Sequence, residues 1–367
     1  MPQLKRLIVQ DFRNIGLQEL EFSPNINCIS GNNGEGKTNL LDAIHYLSMT
    51  KSALGGSDRY NWRRGTSGFS LAGTYSMDNG TVSKFTVSVA EGKEKRLLRD
   101  DKPYGRISEH MGVLPIVMVS PSDTSLVSES GEERRRFANS VLSQMDREYL
   151  DAAQQYNRLL MQRNSLLKGR EVRDDLLEAF EARMDRAAAR IHSGRAEFTA
   201  VLSPIVARYY EAISGGRESV GISYRSDLDK APLAELLAAS REKDKAAGFT
   251  SAGVQRDDFL FTMDGSPIRR CGSQGQQKSF LVALKFAQYE IMKKRYGFPP
   301  MLLLDDLFDK LDMNRTANLL RMVAGNDFGQ IFLSDSDKTR ISTIVDGITA
   351  DRAYYEAVGG TFKQIEG

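Results

Sequence analysis

Cysteine is nearly absent from this chain: 367 residues contain two, Cys28 and Cys271, at no spacing that forms a zinc site or a disulfide framework. That scarcity excludes a disulfide-stapled secreted scaffold and suits a reducing cytosol. Net charge is nearly absent as well. Fifty basic against 48 acidic residues leave +2, so no global field favours nucleic acid, and any such contact must come from local patches. Long apolar runs are missing: nowhere do 18 apolar residues run without a charge, and the opening Met-Pro-Gln-Leu-Lys-Arg lacks the apolar core of a signal peptide. A soluble, cytoplasmic protein with no membrane partner is expected. There is no internal repeat and no low-complexity tract. What remains is a globular composition, 41% hydrophobic, in a chain long enough for two domains or for one with a large insertion.

Against this plain background one stretch stands out. Gly31-Asn32-Asn33-Gly34-Glu35-Gly36-Lys37-Thr38 fits the pattern G-x-x-x-x-G-K-[ST] at every fixed position. It follows a strand-like run (Ile26, Cys28, Ile29) and precedes a helical one (Leu40, Leu41, Ile44, Leu47). Glycines at a strand-to-helix turn let backbone N–H groups close on phosphates, and the helix N-terminus adds its dipole. Lys37 would supply a charge to the outer phosphates, and Thr38 a hydroxyl to Mg2+.

The flanking sequence predicts strands over Leu4–Phe12 and Leu17–Phe22, a hairpin of Phe69–Tyr75 with Val82–Val89 around Asp78-Asn79-Gly80, and a buried strand over Leu114–Val119. From Glu132 to Tyr210 glycine becomes rare and apolar residues recur at three and four. This predicts two long helices or a broken helical hairpin, interrupted near Lys168-Gly169-Arg170. A helix of about 30 residues is about 45 Å long. Between Arg225 and Gly248 a short helix and a mobile loop are expected, with Arg241-Glu242-Lys243-Asp244-Lys245 a solvated charge run. Strand-like sequence resumes at Phe259–Met263, turns at Asp264-Gly265 and returns through Ile268. A helix over about Gln276–Tyr296, a strand Met301–Leu304, a helix Asn314–Val323 and a strand Gln330–Ser334 then alternate as in a parallel α/β sheet.

The strand Met301–Leu304 ends in Asp305-Asp306. A buried parallel strand delivers its C-terminal residues to the ligand edge, so Asp305 can reach the metal held by Thr38, and Asp306 is the candidate for polarising an attacking water. Upstream, Ser273-Gln274-Gly275-Gln276-Gln277 opens a helix; a serine there is an ordinary N-cap or a second phosphate-facing helix start. The order of these stretches, followed by Asp309-Lys310-Leu311-Asp312, resembles the layout of ABC-type ATPases. In that layout nucleotide is sandwiched between two heads, and Ser273 and Gly275 of one head close on the γ-phosphate held by the other.

Nearly the whole chain resembles one family more closely, the RecF recombination mediators, relatives of the SMC ATPases without long coiled coils. The resemblance rests on Asp11-Phe12-Arg13-Asn14, on residues 31–44 including Asn39, on Arg134-Arg135-Arg136-Phe137, on Tyr156-Asn157-Arg158-Leu159-Leu160 with Gln162-Arg163-Asn164, on Arg256-Asp257-Asp258, and on Ser-Gln-Gly-Gln-Gln. It implies an α/β P-loop NTPase of ABC/SMC-like head type with a helical insertion or lid. The expected divisions are 1–130, a first lobe of the head; 131–215, the insertion; and 216–367, a second lobe. It further implies ATP and Mg2+ as cofactors, an ATP-dependent homodimer, and binding to double-stranded and gapped DNA. Partnership with RecR and RecO in loading recombinase, a role in the SOS response, nucleoid association, and a weak DNA-stimulated ATPase used as a switch belong to the same expectation. By the family pattern Arg13 and Asn14 lie close to the nucleotide, and residues 31–39, Ser273, Gly275, Gln276, Asp305 and Asp306 map onto motif positions.

Three departures are visible. Ala252-Gly253-Val254-Gln255-Arg256-Asp257-Asp258 stands where many relatives have Gly-Pro-His-Arg-Asp-Asp, so the histidine is missing; Ser334-Asp335-Ser336 stands where ABC ATPases often carry a histidine; and Asp306 stands where many carry glutamate. The shorter reach of Asp306 predicts slow turnover. Candidate DNA patches are Arg63-Arg64, Arg134-Arg135-Arg136, Arg269-Arg270 and Lys293-Lys294-Arg295. A transporter ATPase subunit, a small-molecule kinase and an SMC-like structural clamp remain as other readings.

Overall fold

A computed structural model describes residues 1–169, 173–307, 328–338 and 349–366, with Arg315, Asn318, Leu319 and Val345 in addition. In chain order the elements begin with β1 (Gln3–Phe12), β2 (Ile15–Glu21), β3 (Ile26–Ser30), α1 (Lys37–Met49), β4 (Gly68–Ser76), β5 (Val82–Ala90), β6 (Arg96–Arg99), β7 (Lys102–Pro103) and β8 (Ile116–Val119). Next come α2 (Ser125–Ser128), α3 (Gly131–Met145), α4 (Arg147–Leu167), α5 (Asp174–Ser214), β9 (Val220–Arg225), α6 (Leu233–Ala247), β10 (Asp258–Met263), β11 (Ser266–Pro267), α7 (Ile268–Cys271) and α8 (Gln274–Tyr296). The chain closes with β12 (Met301–Asp305), β13 (Ile331–Asp335), β14 (Arg352–Val358) and β15 (Thr361–Ile365). The Asp309-Lys310-Leu311-Asp312 stretch lies outside the described residues, as does most of the helix expected over 314–323.

The contacts divide the chain into Met1–Asp123 with Gln288–Gly367, and Thr124–Ala287. The first unit carries two sheets. In the antiparallel one, ordered β2-β1-β4-β5-β6-β7, burial alternates residue by residue along β4 and β5, as a sheet with one covered face requires. Phe12, Tyr46 and Phe69 meet edge to face beneath it, with centroids 5.0 to 6.0 Å apart. The other sheet runs β15-β14-β3-β13-β12-β8, parallel throughout except where β15 turns back on β14. Every residue of β3, β8, β12 and β13 is buried, which is why these strands read as continuous apolar runs. The C-terminal hairpin β14–β15 was not expected from sequence, nor was β9.

The second unit is built on helices. Ser130 and Asp146 cap α3 and α4 through their side chains, and the helical hairpin breaks between Leu167 and Asp174. The 41 residues of α5 make a helix about 60 Å long. Its length is secured by buried ion pairs: Arg163 is fully buried, with Glu181 at 2.9 Å and Asp244 at 2.8 Å. Arg195 donates to Asp257 at 2.5 Å. Two expectations are corrected here. The run 241–245 is not wholly solvated but forms the last part of α6, where Glu242 and Lys243 are exposed while Arg241 and Lys245 pair with Glu178, Glu181 and Asp174 of α5. Ile268 does not extend a return strand but opens α7, because β11 stops at Pro267. Residues 216–287 fall in the unit Thr124–Ala287; β9 pairs with β10 along its whole length, and its Ile222 N–H donates to Ser203 of α5.

Candidate nucleotide site

The phosphate loop connects β3, the central strand of the parallel sheet, to α1. Gly31, Gly34 and Gly36 have φ of 152°, 88° and 107°, a backbone that side chains resist. Space is limiting at two of them. A Cβ at Gly31 would meet Ala357 O at 2.5 Å, and one at Gly36 would meet Asn14 Oδ1 at 2.7 Å, whereas Gly34 faces open space. Lys37 is buried and its Nζ donates to the carbonyls of Gly31 and Asn32 at 2.7 and 3.0 Å. The loop is therefore curled around the ammonium, with Asn32, Asn33 and Gly34 exposed.

Thr38 Oγ1 donates to Asp305 Oδ1 at 3.1 Å. Ser334, at the end of β13, donates to the same oxygen at 2.6 Å. Its hydroxyl also accepts the Asp306 N–H at 3.2 Å. In the sequence Ser334 registers only as the absence of a histidine; the signal that assigns it is its position one strand over from Asp305, at the same sheet edge. Burial pushes the Asp305 carboxyl above the usual range, opposed by Ser334 and Thr38. Its Oδ2 is buried with no hydrogen-bond partner among the described residues. An oxygen so placed beside a threonine hydroxyl fits the preference of Mg2+ for oxygen ligands. Asp306 follows in the left-handed region, φ 43°, half-buried.

Asn14 and Arg13 sit in the β1–β2 turn. Asn14 Oδ1 accepts from Asn39 Nδ2 at 2.8 Å, which sets it against the loop at Gly36. Arg13, at φ 55°, has Nε 3.1 Å from Asp42 Oδ2 and Nη2 2.9 Å from Ser52 Oγ. Burial raises the Asp42 carboxyl, and Arg13 is the largest opposing influence. Arg13 thus fixes the base of α1.

The serine-glycine turn belongs to the second unit. Ser273 Oγ accepts from Gln276 N at 3.3 Å while Gln276 Oε1 accepts from Ser273 N at 2.7 Å, a reciprocal cap on α8. Gln276 Nε2 donates to Glu218 at 2.6 Å. Ser273 is exposed and Gly275 half-buried. Of the basic patches, the arginine triple is largely consumed internally: Arg134 holds Asp258 at 2.8 and 3.1 Å, and Arg135 donates to Asp257 O at 2.6 Å. Arg136 pairs with Glu132 and Glu133. Arg269 and Arg270 are exposed.

The AAA domain family matches residues 6–190. A DNA replication and repair protein RecF of Bacteroides fragilis is 39% identical over 364 residues, covering 99% of this chain and 98% of that one. A solved structure of the recombination mediator protein RecF with ATP, in the RecFOR pathway, has a TM-score of 0.90 at 28% identity and covers 100% of this chain and 98% of its own. An Smc head domain with ScpA from Pyrococcus furiosus shares the fold at 14% identity, with a TM-score of 0.59 over 100% of this chain and 96% of its own. The fold is that of a P-loop ATPase of ABC/SMC-like head type.

Proposed function

This chain belongs to the RecF family, and from that premise we propose that it is an ATP-binding recombination mediator of DNA replication and repair. The observation that carries the reading is the Thr38–Asp305 bond beside a curled phosphate loop, with Asp305 Oδ2 left buried and without a partner among the described residues. Lys37 would exchange its two carbonyl acceptors for phosphate oxygens. Thr38 and Asp305 would hold Mg2+, which when bound neutralises phosphate charge. Ser334 holds Asp305 in place, and Asp306 is aimed by its own N–H bond to Ser334, as the group that orients an attacking water.

In this reading Ser273, Gly275 and Gln276 of a second copy close on the γ-phosphate, so that ATP joins two heads and hydrolysis parts them. Turnover is slow and DNA-stimulated, a switch rather than a metabolic activity. The nucleotide-joined dimer holds double-stranded and gapped DNA and works with RecR and RecO in the cytoplasm, at the nucleoid. Among the described residues no helix is long and apolar enough to cross a membrane.

The deciding experiment is the solution mass of wild type, Lys37→Ala and Ser273→Arg with Mg2+ and ATP, with and without gapped duplex DNA. Dimerisation and DNA retention by wild type alone support the two-head mechanism. A monomer under every condition refutes it and returns the kinase reading; adding RecR to the wild-type dimer separates the mediator from an SMC-like clamp, which would not bind it.

A further inference from the structure

Glu35 stands inside the phosphate loop, between Gly34 and Gly36, where its charge opposes the anion that the loop is shaped to hold. The structure ties that charge down. Glu35 Oε2 accepts a hydrogen bond from the Gly359 N–H, and the Gly360 N–H donates to the Glu35 carbonyl at 2.9 Å. Gly359 and Gly360 form the two-residue turn between the paired Val358 and Thr361. Their φ values of 58° and 81° are the left-handed pair that the tightest hairpins require. The turn is itself wedged in place. A Cβ on Gly360 would overlap the Asn14 carbonyl, the Ala357 carbonyl lies against Gly31, and the Phe362 N–H donates to Gln18 Oε1 at 2.8 Å.

We propose that the β14–β15 turn is a positioning element of the nucleotide site, which clasps Glu35 and keeps its carboxylate off the bound phosphates. Glu35 is then a positioning residue: a hairpin more than 300 residues downstream supplies one N–H to its carboxylate, from Gly359, and a second to its backbone carbonyl, from Gly360. The inference rests on the reading of this loop as an ATP site. It goes beyond the motif, in which this position is free, and assigns a role to the C-terminal hairpin.

The test is ATP affinity in Mg2+, measured by equilibrium binding on the full chain. Gly360→Ala should displace the turn and weaken binding by about tenfold, the loss of one charge-assisted contact. Glu35→Gln, which keeps the acceptor and removes the charge, should bind within about threefold of wild type. The double variant should recover to about the Glu35→Gln level. A Gly360→Ala protein as tight as wild type, or a double variant as weak as Gly360→Ala alone, overturns the proposal. A second measurement guards against misfolding of the glycine variant: amide exchange at Gly359 in the nucleotide-free protein should accelerate in Glu35→Ala but not in Glu35→Gln. Unchanged exchange in Glu35→Ala overturns the clasp. Wild type that fails to bind ATP defeats the nucleotide reading instead, and leaves the exchange result to decide the clasp by itself.

Discussion

The Thr38 hydroxyl donates to Asp305 Oδ1 at 3.1 Å across a sequence separation of 267 residues. That bond fastens the first turn of α1 to the end of β12 and leaves the second carboxylate oxygen buried without a partner among the described residues. A carboxylate held this way is costly until a cation arrives.

Asp305→Asn should therefore separate stability from function. Removing a buried charge whose pKa burial has raised should increase the melting temperature of the nucleotide-free protein by a few degrees, about 1 to 2 kcal/mol. The further gain expected of wild type on adding Mg2+ with ATP should be absent from the variant. Thermal melts with ATP, with and without Mg2+, give both answers, and an Asn variant that is less stable in the absence of nucleotide contradicts the account.

His110 sets a pH dependence. Burial pushes its pKa down to about 4, and its neutral ring accepts from Tyr104 through Nδ1 while Nε2 donates to Leu47 O at the end of α1. A depressed histidine pKa means that the unfolded chain takes up the proton first. Stability is full above about pH 6.5 and falls as pH drops towards 4, by up to about 3 kcal/mol. Denaturant titrations at pH 7.5 and 5 should show that slope in wild type and a shallower one in His110→Gln.

Arg163→Ala removes a fully buried guanidinium from Glu181 and Asp244. About 3 to 5 kcal/mol of stability should be lost, because Asp244 remains inside without its cation while Glu181 keeps only Arg241. The loss should appear in urea unfolding of the helical unit. Nucleotide affinity of the folded fraction should be unchanged.

Arginines that look alike in sequence should behave differently. Arg134→Ala should cost about 3 kcal/mol in stability, since its guanidinium is bidentate on Asp258. Arg269→Ala with Arg270→Ala should leave stability within about 0.5 kcal/mol. The same pair should lower the salt dependence of DNA binding by about two in log–log slope. A pair that binds DNA as wild type does moves the DNA contact elsewhere.

The phosphate loop, β12 and its aspartates were readable because each is a local signal, a fixed spacing or an unbroken apolar run. Ser334 was not, since its meaning comes from lying one strand away from Asp305. The Arg134 triple and the run 241–245 were read as surface because charge in sequence carries no record of a partner many tens of residues distant; Asp258 lies 124 positions from Arg134. The β14–β15 hairpin was legible and missed. Gly359-Gly360 between strand-like runs is a two-residue turn signal, and its connection to Glu35 could be found only in three dimensions.

Strand β3, which launches the phosphate loop, is flanked by β13 and β14, so residues 26–30 have both neighbours among residues 331–335 and 352–358. A ribosome making this chain releases the loop early and its walls last. Until β14 emerges the nascent protein has no assembled place for ATP, and an apolar strand waits for partners that are still being translated, a demand on slow, non-local pairing. By strand order alone, a fragment ending before residue 352 should fail to bind nucleotide.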